Sequence, residues 1–430
     1  MRRRLASIFA LAAPTALVSF LQVAAQLFET WLAARQGTAA LAGWAVVLPF
    51  ALLMQMTSAG AMGGGVVAAI ARALGGGRRE DAAALVMHAG LIALAAAALF
   101  ALPLALFPRT VLGWVGGREA AEAAAAYSIW LFGAGALPAW LSNTLASVLR
   151  GGGRHGLAAR VLLLGWALYP PLAWLLAEPA GMGLAGLGAA FAGVFWLTAA
   201  VMGLAVLRGG AGFAPSLRLR PSRAMFGRIL SVGLVACLLA LIANLTTIFV
   251  TAQLAAQGPT VVAGYGISAR LEFLMIPLVF GIGSALTALV GRAVGMGDWA
   301  EARRLAWTGG GLAFVIAGSC GLLVTLFPRS FAAAFTGDAA VVEVAARALA
   351  VIGPAYGAFG LGMALYFGCQ GAGRMGWPVV AACSRFAIAV FGGALMAGPL
   401  GLEGQFLAVA LGITAYGLVT AASVRPGVWR

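Results

Sequence analysis

The sequence has no lysine, two histidines and 12 acidic residues among 430 positions. Charged residues make up 9% of it, where a soluble domain carries about 25%, so a soluble globular fold is excluded. No Walker A loop, DDxxD run, HExxH or GxSxG occurs. An ATPase, a prenyl transferase and a membrane protease therefore lack the residues their chemistry requires. The four cysteines (Cys237, Cys320, Cys369, Cys383) form no CxxC pair and read as small apolar filler. His88 and His155 have no partner at metal-ligand spacing. No metal and no cofactor is expected. Short segments of alternating polarity, the mark of a membrane barrel, are also missing.

What remains is apolar. Hydrophobic residues make up 63% of the chain, and mean hydropathy is +1.00. Runs of twenty or more apolar residues recur throughout, each long enough to cross ~30 Å of hydrocarbon as a helix. Twelve spans are expected, at 5–31, 39–71, 82–106, 120–149, 158–177, 183–207, 225–256, 261–291, 305–327, 340–370, 377–398 and 404–423. The fold class is an all-α membrane protein with twelve transmembrane helices. The basic and apolar opening MRRRLASIFALAAP resembles a signal peptide. Its apolar run continues past Pro14 with no cleavage site before Gln22, so it reads as an uncleaved first span.

All 27 basic residues are arginine, and their placement gives an orientation. With the amino terminus inside, 21 fall on cytoplasmic segments and four (Arg35, Arg109, Arg118, Arg329) on the opposite side, while Arg270 and Arg347 lie within spans. That bias predicts both termini in the cytoplasm and a bacterial inner-membrane location. The arginines sit in short loops rather than in a patch, so the net charge of +15 does not point to nucleic acid.

The chain also repeats itself. LFPR at 106–109 recurs at 326–329, an offset of 220; GGGRHG (151–156) then matches GAGRMG (371–376), RALGGG (72–77) matches RAVGMG (292–297), and Gly63 matches Gly283. Each half holds an even number of spans, so the repeat is parallel and the two six-helix bundles are pseudo-symmetric. The expected lobes are 1–207 and 225–430, joined by a basic cytoplasmic linker at 208–224. Such halves are the architecture of a rocking carrier, with its site at their interface.

Within the spans, an ionised side chain costs several kcal/mol and should be absent unless it is used. Only Glu29 and Glu272 lie well inside spans. Gln22, Gln26 and Glu29 are spaced by four and three and share one helical face. On a carrier's inner face Glu29 would bind a proton or cation and exchange it against substrate. The alternative is a carboxylate at the outer end of span 1 that snorkels or pairs with Arg35. Glu272 reads either as a second cation site or as a structural hydrogen-bonding group. Asn143, Asn244, Gln253 and Gln370 are cavity candidates, although bonding between helices is the commoner use of such residues. Tyr356, with Tyr366 and Met363, could pad a cavity or pack a core. Pro14, Gly63 and Gly283 are hinge candidates. Trp31 and Trp44 read as interface-belt anchors.

The order of motifs resembles the MATE (multidrug and toxic compound extrusion) transporters. It runs Pro14, Glu29-Thr30 and Arg35-Gln-Gly37 through Leu41-Ala-Gly43, then RALGGGRREDAAA after span 2 and GxGRxG after spans 4 and 10. GLAGLGAAFA opens span 6, GLEGQFLAVA opens span 12, and GPTVVAGYGISARLEFLMIPLVFGIGSALTALVGRAVGMG covers spans 7–8. The resemblance implies two six-helix lobes around a cleft. It also implies a secondary antiporter that exports organic, often cationic and amphiphilic, compounds against inward H⁺ or Na⁺. Glu29 takes the place where many relatives carry an aspartate. Sodium-type relatives have further acids in spans 7 and 10, where this chain offers Asn244, Thr246, Thr247 and Gln253, and only Glu343 at the mouth of span 10. Proton-type relatives have an aspartate in span 6, and 183–207 has no acid. So few acids favour a proton over a Na⁺ cage, which needs several oxygens. A flippase for lipid-linked saccharides, from the same superfamily, is the alternative; it would need several intramembrane arginines for a pyrophosphate. The expected partners are a small-molecule substrate and the bilayer, with the chain a monomer.

Overall fold

A computed structural model describes residues 2–216 and 221–429, and every regular element among them is helical. The linker residues 217–220 lie outside the described residues. In chain order the spanning helices are α1 (Arg2–Arg35), α2 (Thr38–Gly75), α3 (Arg79–Leu106) and α4, in which Pro108–Ala134 joins Ala136–Gly151 at a 44° bend. Next come α5 (His155–Ala177), α6 (Leu184–Leu207), α7 (Arg223–Ala255), α8 (Pro259–Gly295), α9 (Trp299–Leu326) and α10 (Ala339–Ala372). The last stretch, Gly376–Ser423, has 48 residues, about 70 Å at 1.5 Å per residue and over twice the hydrocarbon thickness. Gly401, at φ 58 and ψ −137, breaks it into α11 (376–400) and α12 (402–423). Twelve crossings result.

The repeat is visible in backbone hydrogen bonds. α2 ends with Gly77 at φ 73 and α8 with Gly297 at φ 80. Arg78 N–H returns to Ala73 O at 2.9 Å, and Asp298 N–H to Ala293 O at 2.9 Å. The same geometry closes α4 and α10: Gly153 has φ 80 and Gly373 φ 70, and Arg154 and Arg374 N–H bond Leu149 and Cys369 O at 2.8 and 2.9 Å. These are left-handed helix stops in which the glycine turns the chain and the next N–H satisfies a terminal carbonyl. The LFPR pair behaves alike. Arg109 binds Glu122 at 2.8 Å and Arg329 binds Glu343 at 2.9 Å, each tying an outer turn to the span that follows.

The chain divides into two compact units, Ala13–Leu234 (the first unit) and Met1–Ala12 with Val235–Arg430 (the second). The divide runs inside α1 and α7, beside Pro14 and Gly233, not in the 208–224 stretch. The first three turns of α1 serve the second unit: Ile8 and Ala12 join its core, and Arg4 pairs with Glu301 at 2.7 Å. The start of α7 serves the first unit, where Arg228 pairs with Asp81 at 2.6 Å. His88 is buried there, its Nδ1 against Ala84 O at 2.8 Å and its Nε2 accepting from Ser222 N at 3.0 Å. His155, also buried, lies 3.4 Å from Thr15 Oγ1.

Three π-helical stretches interrupt the spans, at Met56–Met62, Ile129–Ala134 and Ile388–Gly392. Such bulges free carbonyls that neighbouring groups must satisfy. The glycine hinge candidates are close-packing positions. A Cβ on Gly63 would lie 2.7 Å from Ser147 Oγ of α4, and one on Gly283 would run into the Phe367 ring of α10. Gly65 is tighter still against backbone, its Cβ 2.7 Å from Ile229 O and 2.9 Å from Gly233 N. Gly65→Ala must push α7 off α2, an overpacking that costs about 1–3 kcal/mol. A lowered thermal midpoint in detergent is expected; an unchanged midpoint would mean that α7 yields freely.

Candidate functional site

Glu29 lies near the carboxyl-terminal end of α1, in the first unit, and its side chain turns into that unit. Its Oε1 accepts from Tyr127 OH at 2.5 Å and from Trp44 Nε1 at 3.2 Å. Tyr169 OH approaches the same carboxylate without reaching full hydrogen-bond geometry. The donors come from α2, α4 and α5, and Trp44, Tyr127 and Tyr169 are 6%, 2% and 1% exposed. Tyr127 sits two residues before the π-helical stretch of α4, where Ser128 Oγ also bonds Leu104 O at 2.7 Å. Tyr169 stands next to the Pro170-Pro171 pair of α5.

Arg35 is engaged elsewhere. It pairs with Glu178 at 2.7 Å and lies 5.0 Å over the Trp31 ring. Hydrogen bonding to the Arg35 guanidinium holds the Glu178 carboxyl, just beyond α5, below the usual carboxylate range. Glu29 therefore does not pair with Arg35, and among the described residues no basic side chain bonds it. Trp44 is also not a belt anchor. Its indole is buried and its N–H is aimed at the carboxylate, while Trp31 is 48% exposed. Gln22 and Gln26 share the Glu29 helix, but neither side chain bonds Glu29; Gln26 contributes its backbone carbonyl to Thr30 Oγ1 at 2.8 Å.

The other polar candidates are bound into helix contacts. Asn143 Nδ2 bonds Ser58 Oγ at 2.8 Å and Gln55 Oε1 at 3.2 Å, joining α4 to the π-helical stretch of α2. Gln253 Nε2 bonds Val390 O at 3.0 Å, satisfying a carbonyl in the π-helical stretch of α11. Asn244 donates back to Ala240 O of its own helix at 2.8 Å. Gln370 Nε2 reaches Tyr366 OH at 2.6 Å. Tyr356 is fully buried in the core of the second unit, its hydroxyl 3.4 Å from Ser268 O.

Glu272 of α8 has a partner that the span count overlooks. It is ion-paired to Arg385 Nη2, with the two side chains 15% and 11% exposed. Arg385, counted with the cytoplasmic arginines on sequence, stands in the helical body of α11. Its position nine residues inside an apolar run was the signal available. Arg347, also within a span, pairs with Glu403 at 2.6 Å. Among the described residues no group of three or more His, Cys, Asp or Glu could hold a metal ion.

Twelve apolar helices, a parallel repeat and an inward-facing carboxylate with no cationic partner together define a multi-pass transporter. The comparisons carry this to a family. MatE matches residues 14–175 and 233–395, two stretches displaced by nearly the same interval as the sequence repeats, and the chain belongs to that family. A MOP superfamily transporter from Pyrococcus furiosus has the same fold, with a TM-score of 0.90 at 22% identity, covering 98% of this chain and 95% of that one. The Vibrio cholerae MATE transporter VcmN, in a mutant form, aligns with a TM-score of 0.90 at 21% identity over 99% of this chain and 97% of its own. A probable multidrug resistance protein NorM from Thermotoga maritima is 31% identical over 96 residues. That match spans 22% of this chain and 21% of the relative, and so bears on one segment alone.

The donors around Glu29 make a stability prediction. Glu29→Gln keeps a carbonyl acceptor in place, whereas Glu29→Ala leaves buried hydroxyl and indole donors without one, at about 1–3 kcal/mol for each orphaned group. The Ala variant is expected to unfold at a clearly lower temperature than the Gln variant in a detergent melt. Equal midpoints would mean that the carboxylate is not what the donors hold.

Proposed function

We propose that the chain is a secondary antiporter that exports organic, cationic and amphiphilic compounds in exchange for H⁺, by alternating access, with Glu29 as the coupling carboxylate. The observation that carries this reading is the Glu29 cluster: one acid inside a span, bonded by an N–H and an O–H donor from two other helices, with the Tyr169 hydroxyl of a third close by. With no basic partner, gain or loss of one proton changes the net charge of the site. That lets ion binding and substrate binding exclude one another.

A proton suits the ligand set better than Na⁺. Sodium needs several oxygens at once, and the indole N–H of Trp44 can donate to a carboxylate but cannot coordinate a cation. The flippase alternative asks for several unpaired arginines about a pyrophosphate. Arg347 is tied to Glu403, which supports the antiporter. The arginine bias supports cytoplasmic termini, and we take the membrane to be a bacterial inner membrane; each unit has its own core, in keeping with a monomer.

The test is transport of a cationic dye in proteoliposomes, driven in turn by an imposed pH gradient and an imposed Na⁺ gradient. Wild type is expected to respond to the pH gradient alone. Glu29→Gln is expected to insert normally and to lose at least about 100-fold in exchange, as for removal of an essential proton carrier. Full exchange in that variant would remove Glu29 from the mechanism, and a response to Na⁺ alone would overturn the choice of ion.

A further inference from the structure

Among the described ion pairs Glu272–Arg385 has the least exposed side chains, and the coupling scheme leaves it unused. It lies wholly in the second unit. α8 and α11, which carry the two residues, share almost no backbone contact, so the pair joins two helices that are not closely packed on each other. Arg385 gives one hydrogen bond, from Nη2 to Glu272 Oε1. Its remaining N–H groups meet no acceptor among the described residues. They are also absent from the fully enclosed donors left unpaired, such as Gln55 Nε2 and Trp140 Nε1, so they open onto space. A guanidinium carries five donors in a planar fork suited to two parallel bonds with a carboxylate. Here four-fifths of that capacity is unspent on a side chain nine-tenths buried.

The surroundings are aromatic. Phe359 of α10 lies under the guanidinium with its ring centre 5.6 Å from Cζ. Tyr416 of α12 lies beside Phe359, ring centres 6.4 Å apart. The cation–π contact and the carboxylate of Glu272 fix the plane of the fork and leave its other edge free.

The internal repeat supplies a control. Features that the scaffold needs recur at the 220-residue offset: the glycine helix stops, the LFPR turns and their ion pairs. At that offset Glu272 falls on Leu52 and Arg385 on Gly165, with Ala51 and Trp166 beside them, and none is charged. Gly165 has no room for a side chain, since its Cβ would lie 2.6 Å from Thr198 Cγ2. The first unit folds without the pair, so the architecture does not require it.

We propose that Arg385 binds the carboxylate of an amphiphilic organic molecule, with Glu272 orienting the guanidinium and Phe359 and Tyr416 receiving the adjoining apolar body. The chain then accepts compounds with an anionic end as well as cationic ones. That the bound molecule is also transported rests on the proposed antiport; the binding does not, and a titration that reads binding alone lets the two fail separately.

The full chain in lipid nanodiscs is titrated with dansylglycine, which carries a carboxylate, and with dansylamide, which does not, following dansyl emission. Wild type is expected to bind dansylglycine about tenfold more tightly, the scale of a charge-assisted bidentate contact. Arg385→Gln is expected to abolish that preference. So is the double variant Glu272→Gln/Arg385→Gln, which leaves no lone buried charge and keeps the test valid if the single variant fails to fold. Glu29→Gln is expected to keep the preference. Equal binding of the two ligands by wild type, or a preference that survives in either Arg385 variant, would overturn the proposal.

Discussion

Inside hydrocarbon a polar group finds no water, so each must be answered by another part of the chain, and the helices are arranged around those answers. The Glu29 carboxylate draws donors from α2, α4 and α5 to one point. Asn143 holds α4 to α2 through Ser58 and Gln55, and Gln253 covers a carbonyl that the α11 bulge exposes. Each is a local solution, and together they determine which helices can separate at low cost. A carboxylate bound only by neutral donors is the least committed of them. Protonating it removes a charge and leaves the hydroxyls and the indole with a weaker acceptor. A change of one proton is thus felt on α1 and on the two helices, α2 and α4, that donate to it.

Comparison of the two halves separates scaffold from specialisation. Helix stops at Gly77 and Gly297, and at Gly153 and Gly373, share φ values and hydrogen bonds to within a tenth of an ångström. The charged groups do not follow the repeat. Glu29 has Phe249 at its equivalent position, and Glu272 has Leu52. The frame follows the repeat and the acids do not: neutral donors bond Glu29 in the first unit, and a guanidinium pairs with Glu272 in the second.

Much of this was legible in the sequence because hydrophobic run length and a repeat at one fixed offset leave little freedom. Twelve crossings, the parallel halves and the salience of Glu29 follow from those two facts. The partners of Glu29 were not legible. Trp44, Tyr127 and Tyr169 come from three helices, and no local spacing encodes a contact between residues 98 positions apart. Trp44 was assigned to the lipid interface because tryptophans near span ends usually belong there, and only packing shows its N–H turned inward. Gln22 and Gln26 illustrate the converse. Sharing a helical face with Glu29 places them nearby without making them bond. Arg385 was missed because a positive-inside tally assigns arginines to loops, although its own apolar flanks marked it as intramembrane.

α1 and α7 each belong to both units, and this bears on biosynthesis. A nascent chain that has produced only its first half cannot finish packing its amino-terminal turns, because Ile8 and Ala12 belong to a core made chiefly from residues after 235. Those turns gain their packing only once helices of the second unit are in the bilayer, so assembly of the second unit reaches back across most of the sequence to residues made long before it.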